Sequence, residues 1–140
     1  MLTASDVMSR DPIVARPTDP LATASKLFQA HAIRHLPVIE RGGRLVGIVS
    51  KLDCLRAAVN GYGASTNLEK LMACPVLTVT PETPLREALD RLLERHFGCL
   101  PVVREDGKLV GIITGTDFAR LSRQHIEEVD AQELAREWEH

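Results

Sequence analysis

The sequence is short of several things, and each shortage removes a class of function. Only five of its 140 residues are Phe, Tyr or Trp, too few for the aromatic platforms on which single-stranded nucleic acids stack. Lys and Arg are scattered through a chain of formal net charge −2, so the basic run or stripe of a phosphate-backbone reader is missing. No uninterrupted apolar stretch approaches the roughly 20 residues of a membrane-spanning helix. A basic segment leading into an apolar run is also missing near Met1, so a secretory leader is not expected. Cys54, Cys74 and Cys99 are few and far apart, with neither C-x-x-C nor metal spacing. A reducing, cytoplasmic setting is the expectation. Catalytic signatures are likewise wanting: there is no Gly-x-Ser-x-Gly, no phosphate-wrapping Walker loop and no well-placed pair of carboxylates. The chain is therefore expected not to be an enzyme.

What the chain does contain, it contains twice. Leu45-Val46-Gly47-Ile48-Val49-Ser50-Lys51-Leu52-Asp53 returns as Leu109-Val110-Gly111-Ile112-Ile113-Thr114-Gly115-Thr116-Asp117. The offset that lays Met72 on Met8, 64 residues, also lays Pro81 on Pro17, Pro84 on Pro20, Leu85 on Leu21 and Ala88 on Ala24. It superposes Leu100-Pro101-Val102 on Leu36-Pro37-Val38 without a gap. Such a repeat implies two half-domains about a pseudo-two-fold axis. The divisions read as residues 1–61, 62–122 and an acidic, helical tail over 123–140.

Each half reads in the same order. A short helix precedes Met8 or Met72, the second one opened by the capping-box pattern Thr66-Asn67-Leu68-Glu69. Extended segments follow at Ile13-Val14-Ala15 and Leu77-Thr78-Val79. Asp19-Pro20 and Thr83-Pro84 supply a cap and a first-turn proline. Amphipathic helices come next, with Leu21, Ala24, Leu27 and Phe28 on one face and Leu85, Ala88, Leu89, Leu92 and Leu93 on the other copy's. A strand, Leu36–Ile39 or Leu100–Val103, then turns at Gly42-Gly43 or Gly107. The repeated apolar stretch returns beside it and runs into a last helix, Leu52 to Asn60 or Thr116 to Leu121. In the tail, Ile126, Val129, Leu134 and Trp138 share one helical side, a stripe that suits packing on the body or on a second subunit.

The chemistry lies where the return strand ends. A strand entering a helix presents free N–H groups and the positive end of the helix dipole, which suits an anion. An ionised Asp only accepts, so it complements a sugar diol that donates twice. The same residues have a plainer reading, because Ser50-x-x-Asp53 and Thr114-x-x-Asp117 both fit capping boxes that only fasten a helix start. His31 and His35 stand four apart but lack a third ligand, so no metal is expected.

The element order, with Leu-Pro-Val and then Leu-Val-Gly-Ile-(Val/Ile)-(Ser/Thr)-x-x-Asp, resembles the cystathionine-β-synthase (CBS) domain. Two in tandem resemble a Bateman module. The resemblance spans about Leu2 to Leu121. It implies an α+β fold of two pseudo-symmetric repeats, each a small sheet with helices packed on one side. It implies a non-catalytic regulatory module with no obligatory cofactor. An adenosine-containing ligand (AMP, ADP, ATP or S-adenosylmethionine) would bind between the repeats and signal to a separate partner, commonly from a homodimer that uses neither nucleic acid nor membrane. Asp53 with Ser50, and Asp117 with Thr114, would meet ribose and phosphate. Ile13 and Ile33 would enclose one adenine, Leu77 and Phe97 the other. Where clefts mix repeats, Ile13, Ile33 and Arg34 would join Thr114 and Asp117, and Leu77, Phe97 and Gly98 would join Ser50, Asp53 and His35. Arg34 stands where the other half has Gly98, which favours its cleft for a phosphorylated ligand. The competing expectation is a constitutive protein-assembly module that binds no nucleotide.

Overall fold

The computed structural model describes residues 1–95 and 98–138. The first half contributes α1 (Ala4–Val7), β1 (Ser9–Arg10), α2 (Leu21–Ala30), β2 (His35–Ile39), β3 (Leu45–Ser50) and α3 (Lys51–Val59). The second half contributes a 3-10 turn (Leu68–Lys70), α4 (Leu85–Arg95), β4 (Cys99–Val103), β5 (Leu109–Thr114) and α5 (Gly115–Trp138).

The hairpins β2–β3 and β4–β5 are antiparallel and match residue for residue. Pro37 faces Ile48 in one, Pro101 faces Ile112 in the other, and each register slips at its last pair. A proline can sit mid-strand here because its missing N–H faces away from the hairpin partner. The carbonyls of Pro37 and Pro101 accept from Ala15 N and Val79 N at 3.0 and 3.1 Å. The two extended segments expected near Ile13 and Leu77 are accordingly single parallel bridges, Ala15 to Val38 and Val79 to Val102. Each is too short to be a strand, because prolines at 17 and 81 stop it.

Gly42, Gly43 and Gly107 all take positive φ, between 84° and 95°, which closes the hairpins without a Cβ penalty. The two turns then meet across the pseudo-axis: Leu45 N donates to Gly107 O at 3.1 Å and Leu109 N to Gly43 O at 3.0 Å.

The opening segment of each half crosses to the other half. Ala4 and Met8 are buried in the second core with Val79, Ala88, Leu92, Leu100, Val102 and Ile113. Leu68 is buried in the first core with Leu21, Ala24, Phe28, Leu36, Val38 and Val49, and Met72 packs against it. Backbone bonds fix the exchange: Leu85 N donates to Leu2 O, and Leu21 N to Thr66 O, at 2.9 and 2.8 Å. β1 adds a third strand to the second sheet, with Ser9 opposite Ile112. Ala73 makes the corresponding bridge to Ile48 in the first half. Gly47 and Gly111 permit the crossing, since a Cβ on either would collide with Met72 or Met8.

Some local expectations are corrected. The segment after Thr66 forms only a 3-10 turn, and Asn67, not Thr66, precedes it without a side-chain cap. Pro20, not Asp19, is the residue before α2, while Asp19 accepts from Arg16 N at 2.8 Å in the turn ahead of it. Leu93 lies on the outer side of α4, 65% exposed. The last helix does not stop at Leu121 but continues to Trp138. Along it Ile126 and Val129 are exposed, while the side chains of Leu134 and Trp138 lie outside the description. No helix among the described residues is long and apolar enough to cross a membrane.

Candidate functional site

The return strands deliver their hydroxyls and carboxylates as the sequence requires. Ser50 precedes α3, and its Oγ accepts from Asp53 N at 2.9 Å while Asp53 Oδ2 accepts from Ser50 N at 3.1 Å. Thr114 N donates to Asp117 Oδ2 at 2.8 Å, and Thr114 Oγ1 does so at 3.2 Å. The first motif closes a capping box that fastens the start of α3, the plainer of the two roles that the pattern allows; in the second the Thr114 hydroxyl turns to the carboxylate, and only the carboxylate half of the box is made.

The environments of the two carboxylates differ. Asp117 is 4% exposed, the one buried charged residue in the described core. Its Oδ1 accepts from Ser9 Oγ at 2.9 Å and lies 3.5 Å from the Arg120 guanidinium. Asp53 is half-buried.

A small cleft of about 80 Å³ opens where the halves meet, lined by His35, Ile48, Ala73, Pro75, Val76, Leu77, Gly98 and Cys99. Its volume is well below the roughly 300–1,000 Å³ of small-molecule sites, although its walls have the apolar character such sites share. Residues of both halves build it. His35 and Ile48 come from the first hairpin, and Leu77, Gly98 and Cys99 from the second half. The mixed grouping of Leu77 and Gly98 with His35 is thus present. Ser50 is paired with His35 across β2–β3. Asp53 lies close enough for its charge to act on the His35 ring. Phe97 lies outside the described residues.

His35 is the cleft's titratable group. Burial lowers its pKa below the ordinary 6.5, opposed by the Asp53 charge and reinforced by Arg34. The imidazole lies directly on Gly98, where a Cβ would collide with it. Burial also pushes the Cys99 thiol up to about 12, so this cysteine is a neutral wall and not a nucleophile.

The opposite set is less assembled. Ile13 and Ile33 pack against the first core. Arg34 is exposed, and its carbonyl accepts from Lys51 N at 2.8 Å. Among the described residues, Ser9 is the first-half side chain that bonds to Asp117, and Arg34 does not. Ser9, Ala73, Pro75 and Val76 are the site residues that motif reading missed. The 64-residue offset already aligned Ser9 with Ala73, but nothing in the sequence said that Ser9 reaches Asp117 or that Ala73 lines the cleft. No described group of three or more His, Cys, Asp or Glu could hold a metal ion.

Comparison with known proteins gives a consistent result. The model of the CBS domain matches residues 4–60 and 68–123. A chain from Vibrio cholerae named for acetoin utilization (AcuB) superposes with a TM-score of 0.85 at 34% identity, over 94% of this chain and 97% of that one. CBSX2, solved in complex with AMP, gives 0.82 at 32% identity over 89% and 98%. A CBS domain pair solved with 5′-methylthioadenosine and S-adenosyl-L-methionine gives 0.82 at 27% identity over 89% and 98%. Among curated proteins, a 17.7 kDa protein of Acidianus ambivalens is 34% identical over 83% of this chain and 70% of its own length. Homoserine O-acetyltransferase of Methanococcoides burtonii is 36% identical over 84% of this chain, which spans only 23% of that enzyme.

Proposed function

The chain belongs to the CBS-domain family, carrying the domain twice in tandem, and from that premise we propose that it is a non-catalytic regulatory module that senses an adenosine-containing ligand. The observation that carries the reading is the small apolar cleft built by both halves, with the Leu77 and Gly98 wall against His35; Ser50 pairs with His35 across β2–β3 and the Asp53 charge acts on its ring, though neither lines the cleft itself. Leu77, Val76 and Ile48 offer the base an apolar slot, and Asp53 offers the ribose an acceptor. The neighbours solved with AMP, 5′-methylthioadenosine and S-adenosyl-L-methionine support an adenosyl group over any one of its 5′ substituents.

Because the site is shared, a bound adenosine touches both halves at once and favours the arrangement in which they close on it. Differential affinity for that arrangement is the whole of the signal. The recipient is a separate protein or a second copy of the chain. Leu52, Leu55 and Val59 on α3 and Leu93 on α4 are exposed apolar side chains available to a homodimer face. A reducing, cytoplasmic setting accords with three free thiols, two of them buried.

Thermal unfolding with AMP, ADP, ATP, 5′-methylthioadenosine and S-adenosylmethionine tests the reading. A binder stabilises in proportion to the logarithm of its concentration, by about 2.7 kcal/mol at a hundredfold excess over its Kd. No shift with any of the five returns the chain to the reading of a constitutive assembly module.

A further inference from the structure

The two carboxylates hold equivalent positions but have unequal capacity left. An ionised carboxylate offers about four lone-pair sites. At Asp117 four donors approach them: Thr114 N at 2.8 Å and Thr114 Oγ1 at 3.2 Å on Oδ2, then Ser9 Oγ at 2.9 Å and Arg120 at 3.5 Å on Oδ1. At Asp53 the Ser50 N–H approaches Oδ2 at 3.1 Å, and among the described residues no donor reaches Oδ1. The Asp117 side chain is 3% exposed, whereas Asp53 is half-buried.

One of the three additional donors at Asp117 traces to a single position of the repeat. Ser9 and Ala73 are equivalent under the repeat, and both lie beside the return strand of the opposite half, Ser9 opposite Ile112 and Ala73 opposite Ile48. Ser9 brings a hydroxyl to Asp117; Ala73 has none to bring to Asp53, and it lines the open cleft instead.

We propose that Ser9 is a built-in occupant of the Asp117 acceptor, so that the chain takes one adenosine per chain, at Asp53, and that the Ser9/Ala73 difference sets this stoichiometry. The proposal rests on the adenosyl reading of the cleft. A ribose diol at Asp117 has to displace the Ser9 hydroxyl from a buried carboxylate. At Asp53 it adds to Oδ1, which no donor among the described residues reaches. Arg34 argues for the Asp117 side by charge alone, but a charge on an exposed arginine is screened, while a buried acceptor already filled is not available at all.

Calorimetric titration of the full chain tests this, with AMP and, as a phosphate-free probe, 5′-methylthioadenosine. One site per chain is expected. Asp53→Asn keeps an oxygen to accept from Ser50 N but cannot accept two hydroxyl donors, and is expected to weaken binding at least tenfold with the circular dichroism spectrum unchanged. Ala73→Ser, which copies the Ser9 arrangement, is expected to weaken binding similarly. Ser9→Ala is expected to raise the stoichiometry toward two. Two sites per chain in the unmodified protein overturn the assignment. So does a single site that survives Asp53→Asn and Ala73→Ser, or a Ser9→Ala chain that still binds one. In those cases the adenosyl reading stands, whereas an absence of binding of either compound to the unmodified chain and to Ser9→Ala overturns both.

Discussion

Gly111→Ala is the substitution that most sharply tests how the halves are joined. Gly111 is buried on β5 beneath the segment that crosses from the other half. A methyl group there would sit 2.9 Å from Met8 Cγ and 3.0 Å from the Ser9 carbonyl oxygen, with Met8 Sδ closer still. The thioether is flexible and can move, but the carbonyl belongs to β1, which is hydrogen-bonded to β5 at this point. The new methyl therefore has to push the strand as well as the side chain. Overpacking of this kind costs roughly 1–3 kcal/mol, and for a chain near this length each kcal/mol moves Tm by about 2–4 °C. A fall of roughly 3–10 °C is expected in a thermal melt followed by circular dichroism. Gly47→Ala is the internal control. The three atoms nearest its methyl all belong to the Met72 side chain, with Cγ at 2.8 Å and Cβ at 3.1 Å, and its cost should fall toward the lower end of that range. Pairing Gly111→Ala with Met8→Ala removes part of the obstruction, so the double variant should melt above the sum of the two single losses. A Gly111→Ala chain that melts within 1 °C of the unmodified protein, or strict additivity with Met8→Ala, would refute the exchange of opening segments between halves.

Asp117→Ala leaves the half-buried Thr114 N–H without its partner, while the exposed Ser9 hydroxyl can turn to water, and should cost about 2 kcal/mol in urea unfolding. Asp53→Ala loses chiefly a helix cap and should cost about 1 kcal/mol. Equal losses would contradict the unequal burial of the two carboxylates. Burial depresses the His35 pKa, so the folded chain takes up this proton less readily than the unfolded one. The contribution of His35 to stability is complete above the ordinary value of 6.5 and is lost as pH falls through 6.5 toward the lower folded-state pKa. His35→Gln should therefore flatten the fall in Tm between pH 7.5 and 5.5, and an unchanged pH profile would count against a buried neutral imidazole. A thiol reagent at pH 8 should modify exposed Cys74 in the native chain, while Cys54 and Cys99, both buried with raised pKa values, should react only on unfolding. Mass spectrometry of the labelled peptides gives the order.

The repeat was legible because identical residues at a constant offset need no structural knowledge to see, and the hairpins followed from Leu-Pro-Val, the turn glycines and the return strand. Periodicity says which face of an element is apolar but not which core that face enters. The crossing of Ala4–Met8 into the second core and of Leu68–Met72 into the first was for that reason invisible in the sequence. The capping-box pattern at Thr66 was outweighed by the backbone bonds from Leu68 N to Asp19 O and from Leu21 N to Thr66 O, which tie the segment to the other half before a full helical turn can form. At the site, Asp53, Ser50, His35, Leu77 and Gly98 could be grouped from the repeat and the family resemblance together. The inequality of Asp53 and Asp117 could not, since it depends on a serine 108 residues away in sequence. Arg34 drew notice by its charge, yet a charge reveals nothing about the hydrogen bonds that Asp117 already makes.

The most direct measurement is an amide-resolved NMR titration of the chain with AMP and with S-adenosylmethionine. Saturable shifts are expected at His35, Ser50, Asp53, Leu77 and Gly98 with at least one of the two ligands, while Ile126 and Val129 on the outer part of α5 stay in place. Saturable shifts confined to residues away from the cleft, or spectra unchanged at millimolar concentrations of both, would contradict the adenosyl reading of the cleft.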